Sequence, residues 1–178
     1  MTGQSGIRRY EAQDQAAVRD LFVRINRELA PAHLKEQFET YIALALRDEI
    51  DRIPSYYSAS RGASFWVAVD EHGLMGNFGL EPAAGDTMEL RRMYVGSEFR
   101  RRGLGRLMLA HAERVALDQG SARMLLSTSE LQEAAILLYR SAGYQLVREE
   151  VATAATNRTV GSSLRRYYFE KELIGRGT

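Results

Sequence analysis

Seven consecutive residues, Arg100-Arg101-Arg102-Gly103-Leu104-Gly105-Arg106, have the types and spacing of an anion-binding turn. An apolar, strand-like run, Met88–Val95, precedes them, and an amphipathic stretch with helical spacing runs from Leu104 to about Leu117. Glycines let a backbone bend close to a ligand with no Cβ in the way. The first N–H groups of a helix have no intrahelical partner, and the helix dipole adds partial positive charge there, which favours phosphate. Four arginines stand ready to reach phosphates further out. The plainer alternative is a turn that binds nothing, and the seven residues alone do not separate the two. No Gly-Lys-Ser/Thr follows, so this is not a Walker loop, and Met108 stands where a dinucleotide fingerprint has its third glycine. A phosphate carrier other than ATP or NAD fits better.

Context makes the loop specific. Arg100-x-x-Gly103-x-Gly105 resembles the acyl-CoA loop of the GNAT superfamily of N-acetyltransferases. Glu89-Leu-Arg-Arg-Met-Tyr-Val95 resembles that family's fourth strand, and Leu138-Tyr139-Arg-Ser-Ala-Gly143-Tyr144 its late helix and the strand entry after it. The resemblance runs from about Ile7 to Leu173. It implies acetyl-CoA as co-substrate, held by the backbone of Met93, Tyr94 and Val95 along the pantetheine arm and by the amides from Arg101 to Arg106 around the pyrophosphate, with Arg100 opening the motif. Without the family match, Met93–Val95 would read as ordinary sheet core.

Direct acetyl transfer needs a held thioester, a neutral amine and a proton for the departing thiolate. By the resemblance, Tyr139 faces the coenzyme sulfur. A phenol, with an ordinary pKa near ~10, can protonate a thiolate. The competing reading is a core aromatic, since Tyr139 lies beside Leu138 in an amphipathic helix. Glu89 matches the glutamate that takes the amine proton through water in several branches of the family. Its alternative role is an ion pair with Arg91, two residues on and on the same strand face. Glu81 is a second, weaker candidate base. Glu130 stands where many relatives have an Asn that touches the coenzyme; an acid in the first turn of a helix also favours a capping role. His33, His72 and His111 show no metal-ligand spacing, so no metal is expected.

The segment Tyr41–Val67, with Tyr41-Ile-Ala-Leu-Ala-Leu-Arg-Asp48, Ser55-Tyr-Tyr-Ser58 and Phe65-Trp-Val67, resembles the camello-like branch, which includes cysteine-conjugate and aspartate acetyltransferases. That implies a small-molecule amine, such as an amino acid or its conjugate, as acceptor. The helices before residue 50, the 51–62 connection and the 152–163 loop would wall its site, with Tyr56, Tyr57, Tyr167 and Tyr168 as candidate contacts. The absence of cysteine excludes an acetyl-cysteine intermediate. Two other readings stay open: a protein acetyltransferase acting on lysine or an N-terminus, and an acyl-CoA-binding module that catalyses nothing. Dimers recur in the superfamily, so a homodimer is the assembly the resemblance suggests.

The elements that must position these residues follow from patterning. Asp14 reads as the N-cap of a first helix striped by Val18, Leu21, Phe22, Ile25 and Leu29, which Pro31 ends. Phe38, Ile42, Ala45 and Leu46 stripe a second helix, and 51–62 reads as an irregular connection. Strands are expected at Ile7–Tyr10, Ser64–Val69, Leu74–Leu80, Met88–Val95, Arg123–Ser127, Tyr144–Val151 and Leu164–Leu173. Ser129-x-x-Gln132 has the form of a capping box for the late helix. The order β-α-α-β-β-β-α-β-α-β-β is mixed α/β, and it is also the GNAT order. The expected fold is therefore a single GNAT domain over residues 5–174: a mixed, mostly antiparallel, twisted sheet of about seven strands, splayed between the fourth and fifth, flanked by about four helices. A chain of 178 residues supports one domain with a sizeable core. Its net charge of +1 gives nothing global to draw it to nucleic acid or a membrane. No apolar run approaches the ~20 residues of a membrane span, and the lack of cysteine fits a reducing cytoplasm. Met1–Ser5 and Gly175–Thr178 read as loose ends.

Overall fold

Seven segments form strands: β1 (Gly6–Arg9), β2 (Ser64–Asp70), β3 (Gly73–Pro82), β4 (Thr87–Val95), β5 (Arg123–Ser129), β6 (Gln145–Ala152) and β7 (Leu164–Glu172). The helices are α1 (Gln15–Leu29), α2 (Lys35–Asp48), the single turn α3 (Ile53–Tyr56), α4 (Leu104–Asp118) and α5 (Glu133–Ser141). The computed structural model describes residues 6–173. The expected loose ends, and residues 5 and 174 of the expected domain range, lie outside the described residues. One sheet carries all seven strands in the order β1-β2-β3-β4-β5-β7-β6. Every pairing is antiparallel except β4 with β5. No helix among the described residues is long and apolar enough to cross a membrane.

Core packing follows the stripes. Val18, Leu21, Phe22 and Ile25 of α1 are buried, and Phe22 packs with Phe38, Tyr41 and Ile42 of α2. Met108, Leu109, Ala112 and Val115 of α4 join Leu90, Met124, Leu126 and Phe169 of the sheet in the largest cluster. Three local expectations are corrected. Asp14 already has helical backbone angles, so it does not cap α1; its carboxylate turns back to accept the Glu11 N–H at 2.8 Å and to clamp Arg8. The Ser129–Gln132 box forms, but one turn early: Gln132 Oε1 accepts the Ser129 N–H at 3.2 Å and Ser129 Oγ accepts the Leu131 N–H at 3.3 Å, ahead of a helix that starts at Glu133. The 51–62 connection is not irregular. It consists of short helical turns whose Ile53 and Tyr57 are driven into the core.

Two irregularities in β4 open the sheet. The first is the splay. β4 and β5 pair only from Thr87–Arg123 to Leu90–Leu126, and beyond that their edges part. The second is a bulge. Asn77 faces Tyr94 and Gly79 faces Arg91, so β4 carries one residue more than β3 across this stretch. Arg92 takes up the excess with φ +52°, a conformation that costs a non-glycine residue on the order of 1–3 kcal/mol.

Side-chain bonds hold the bulge. Glu49, wholly buried at the end of α2, accepts from Arg91 Nη2 at 2.8 Å, from Arg92 Nη2 at 2.6 Å and Nε at 3.0 Å, and from the Tyr57 hydroxyl. Arg92 Nη1 also donates to the Tyr41 hydroxyl at 2.6 Å, and Asn77 Nδ2 donates to the Arg92 carbonyl at 2.8 Å. Burial would raise the Glu49 carboxyl pKa, but Arg92 and Arg91 outweigh it and hold the group below its ordinary value. The stabilisation from that ionised carboxylate is therefore complete above pH 4.5, its ordinary pKa, and fades as pH falls below it. Replacing Glu49 by Gln leaves the buried Arg92 guanidinium without a carboxylate and Arg91 with Glu81 alone. Denaturant unfolding should show a loss of about 3 kcal/mol or more near neutral pH, narrowing toward wild type as pH falls through 4.

Candidate active site

A cavity of about 150 Å³ opens where β4 and β5 part. Its walls come from β4 (Glu89 to Tyr94), β5 (Ser127, Thr128), Tyr139 of α5, Arg166 and Tyr168 of β7, and the β6–β7 loop with Arg158. Tyr41 of α2 closes one side.

Tyr139 is 6% exposed and packs against Tyr144 and Phe169, with ring centroids 6.0 and 6.2 Å away. Burial pushes its phenol up to about 12, so the proton stays on the oxygen at physiological pH. The residue is thus a core aromatic and a cavity wall at once.

Glu89 does not pair with Arg91. Both its oxygens lie 3.2 Å from Arg158 Nη1, while Arg158 Nη2 donates to Glu81 at 2.7 Å. Glu81 and Glu89 stand directly opposite each other on β3 and β4, and an arginine between them relieves their repulsion. Arg91 is committed elsewhere, to Glu49, to Glu81 at 2.6 Å and to the Tyr56 hydroxyl at 2.7 Å. The β6–β7 loop that delivers Arg158 is folded on itself. Ser163 N–H meets the Ala152 carbonyl, and a Cβ on Gly161 would fall 2.5 Å from the Ala154 backbone. Arg92 reaches the Asn157 carbonyl and ties the loop to the bulge.

The arginine-rich turn lies beyond β4. Arg101 and Gly103 have φ +62° and +80°. The first α4 hydrogen bond runs from Leu107 N–H to the Gly103 carbonyl, so the amides of Leu104, Gly105 and Arg106 have no intrahelical acceptor. A Cβ on Gly105 would sit 3.2 Å from Leu138 and 3.7 Å from Met93, which keeps α4 close to α5 and β4. Arg100, Arg101 and Arg102 do not line the cavity; Arg100 Nε folds back on the Val95 carbonyl at 3.3 Å, and Arg106 reaches Ser141 at 3.2 Å. A diphosphate fits this turn: its amides are unused, its backbone is left-handed where needed, and cations surround it. Met93 and Tyr94 line the cavity, and Val95 continues the same unpaired edge of β4.

Glu130 departs from its capping role. It precedes α5 and extends the β5–β7 ladder, giving its N–H to the Arg165 carbonyl at 2.9 Å and accepting the Arg165 N–H on its carboxylate at 2.8 Å. Of the tyrosines expected to touch the acceptor, only Tyr168 lines the cavity. Tyr57 is buried on Glu49, Tyr56 holds Arg91, and Tyr167 packs toward the core. Sequence reasoning missed Arg158 and Arg166, whose signal is slight: one arginine in a small, polar loop and one in a strand of alternating charge.

Residues 61–146 match the model of the acetyltransferase (GNAT) domain. The rat protein N-acetyltransferase family 8 member 3 is 35% identical over 120 residues, 65% of this chain and 53% of that protein. The zebrafish (Danio rerio) N-acetylaspartate synthetase is 32% identical over 111 residues, 62% of this chain and 39% of that one. The chain spans about half the length of such relatives. Among solved structures, a GNAT-family acetyltransferase from Staphylococcus aureus Mu50 superposes with TM-score 0.72 at 16% identity, covering 96% of this chain and all of that one. The PaiA N-acetyltransferase from Thermoplasma acidophilum, solved with coenzyme A, gives 0.70 at 18% identity over 96% and 99%.

Gly103 offers a direct check on the turn. A β-branched side chain at φ +80° costs on the order of 1–3 kcal/mol and disturbs the amides beside it. Calorimetric titration of Gly103→Val with acetyl-CoA should show binding weakened about ten-fold or more, with thermal stability reduced no more than for Glu49→Gln.

Proposed function

Because the chain is a member of the GNAT superfamily, we propose that it moves an acetyl group from acetyl-CoA directly to a primary amine, without a covalent enzyme intermediate. The observation that carries this reading is the cavity at the β4–β5 splay, which has Glu89 on one wall and Tyr139 on another. Acetyl-CoA supplies a thioester whose acyl carbon an amine can attack. The turn from Arg100 to Arg106 would hold its diphosphate, and the free edge of Met93–Val95 would hold its arm as a neighbouring strand does.

The chain's own groups then divide the work. Glu89, on the acceptor side, takes the amine proton, directly or through a water. Arg158 fixes its carboxylate in place and keeps Glu81 from repelling it. Tyr139, kept protonated by burial, gives its proton to the departing sulfur. Tyr41, Tyr168 and the β6–β7 loop narrow the acceptor end. A space of that size supports a small amine more than a protein loop. The name of one relative, an N-acetylaspartate synthetase, supports an amino acid; the resemblance to the camello-like branch extends this to amino-acid conjugates, and the absence of cysteine suits a reducing compartment such as the cytoplasm.

Thiol release from acetyl-CoA across a panel of small amines tests the proposal; no release above the buffer rate with any amine would sink it. Tyr139→Phe should lower kcat by about 100-fold with the KM for acetyl-CoA little changed, since positioned proton transfer contributes about that much. In wild type, kcat should not decline through loss of the Tyr139 proton below about pH 11, because burial holds that phenol up to about 12. Glu89→Gln should lower kcat by about 100-fold with the KM for acetyl-CoA little changed, the usual worth of a positioned base; an unchanged kcat would take Glu89 out of the mechanism.

A further inference from the structure

Every carboxylate around the cavity is engaged by an arginine. Glu49 holds Arg91 and Arg92, Glu81 and Glu89 share Arg158, and Glu150 accepts from Arg148 at 3.1 Å. Arg166 is the cavity arginine left without a carboxylate among the described residues. Its one side-chain partner is the Ser127 hydroxyl, which accepts from Nη2 at 2.6 Å across the β5–β7 pair.

A ready partner is nearby and unused. Glu150 faces Arg166 directly in the β6–β7 register, where opposite charges normally pair. The Glu150 carboxylate instead takes the Tyr168 hydroxyl at 3.0 Å along with Arg148. Arg166 turns the other way, over β5, to the first residue past the last β4–β5 pair. Most of its five N–H donors are thus unspent in a half-enclosed polar cavity. A fork of that geometry suits a carboxylate, which it can bind through two parallel hydrogen bonds. The coenzyme is not that anion, since its phosphates belong at the start of α4 and Arg166 stands on β7, beyond β5.

We infer that Arg166 binds a carboxylate of the acceptor and so selects amines that carry one. The inference rests on the acetyl-transfer reading, and it gives that site a specificity residue on β7. The anionic group would dock on Arg166 beside Ser127 and Tyr168, leaving the amine to Glu89. Arg158 is a poorer candidate, because a ligand would have to break its bonds to both Glu81 and Glu89.

The test is steady-state acetylation of α-amino acids, each paired with its own C-terminal amide. Wild type should favour the acid of each pair. Arg166→Gln should collapse the acid-to-amide ratio of kcat/KM by about 10- to 100-fold, the worth of a charge-assisted pair, and Arg166→Lys should restore part of it. The KM for acetyl-CoA should not move. Equal losses for acids and amides, or a wild-type preference for amides, would overturn the inference. N-acetyl amino acids and their amides titrated into coenzyme A-loaded protein provide a readout free of turnover. Carboxylate-dependent binding that disappears in Arg166→Gln would sustain the role of Arg166 even if no amine were acetylated. Binding that is equal in both proteins, or absent from wild type, would refute it.

Discussion

The Glu49 carboxylate, buried between Arg91 and Arg92, is the interaction on which the rest of the site depends. Removing three such charges from water is expensive, and only near-complete hydrogen bonding offsets it. The network is correspondingly full: Tyr57, Tyr41, Tyr56 and Glu81 take up donors and acceptors that Glu49 and the two arginines leave over. What the cluster secures is a backbone shape. Arg92 sits in a conformation its residue type disfavours, and its guanidinium is anchored to the end of α2 while its carbonyl is held by Asn77. A strained residue persists when its surroundings over-determine it in this way.

The strand's function depends on that shape. A regular β4 could keep pairing with β5 to its end, and the sheet would close. With an extra residue beside β3, β4 turns away after Leu90, and the edges of β4 and β5 separate into a slot. A peptide-like ligand arm can pair with such an edge, and the unused amides at the start of α4 lie where the strand points next. The charges then form a graded series from core to cavity: Glu49, Arg91, Glu81, Arg158, Glu89. The same chain of ion pairs that fixes the bulge therefore also fixes the Glu89 carboxylate.

Much of this is legible in the sequence, for identifiable reasons. Strands and helices read correctly because apolar spacing is a local signal; the α4 stripe of Leu104, Met108, Ala112 and Val115 is packed as its spacing requires. The turn at Gly103 and the order of elements are legible for the same reason. Pairing between distant charges is not. Glu89 has Arg91 two residues away, yet its partner is Arg158, which lies in a loop no periodicity describes. Glu49 carries no sequence signal of its own, and only the packing of Arg91 and Arg92 of β4 against it makes it the hub. Tyr57 reads as a ligand contact because aromatic residues in a polar loop suggest one, but tertiary packing buries it. Arg165 and Arg166 are neighbours in the sequence, but strand alternation sends one out to Glu149 and the other into the cavity.

We propose that the bulged β4 and the Arg100–Arg106 turn together form a coenzyme A slot. Isothermal titration with acetyl-CoA, desulfo-coenzyme A and ATP tests it most directly. Both coenzyme A species should bind at low-micromolar concentration and ATP should not, because the arm and the diphosphate are recognised together. Failure of both coenzyme A species to bind, or binding of ATP as tight as theirs, would contradict it.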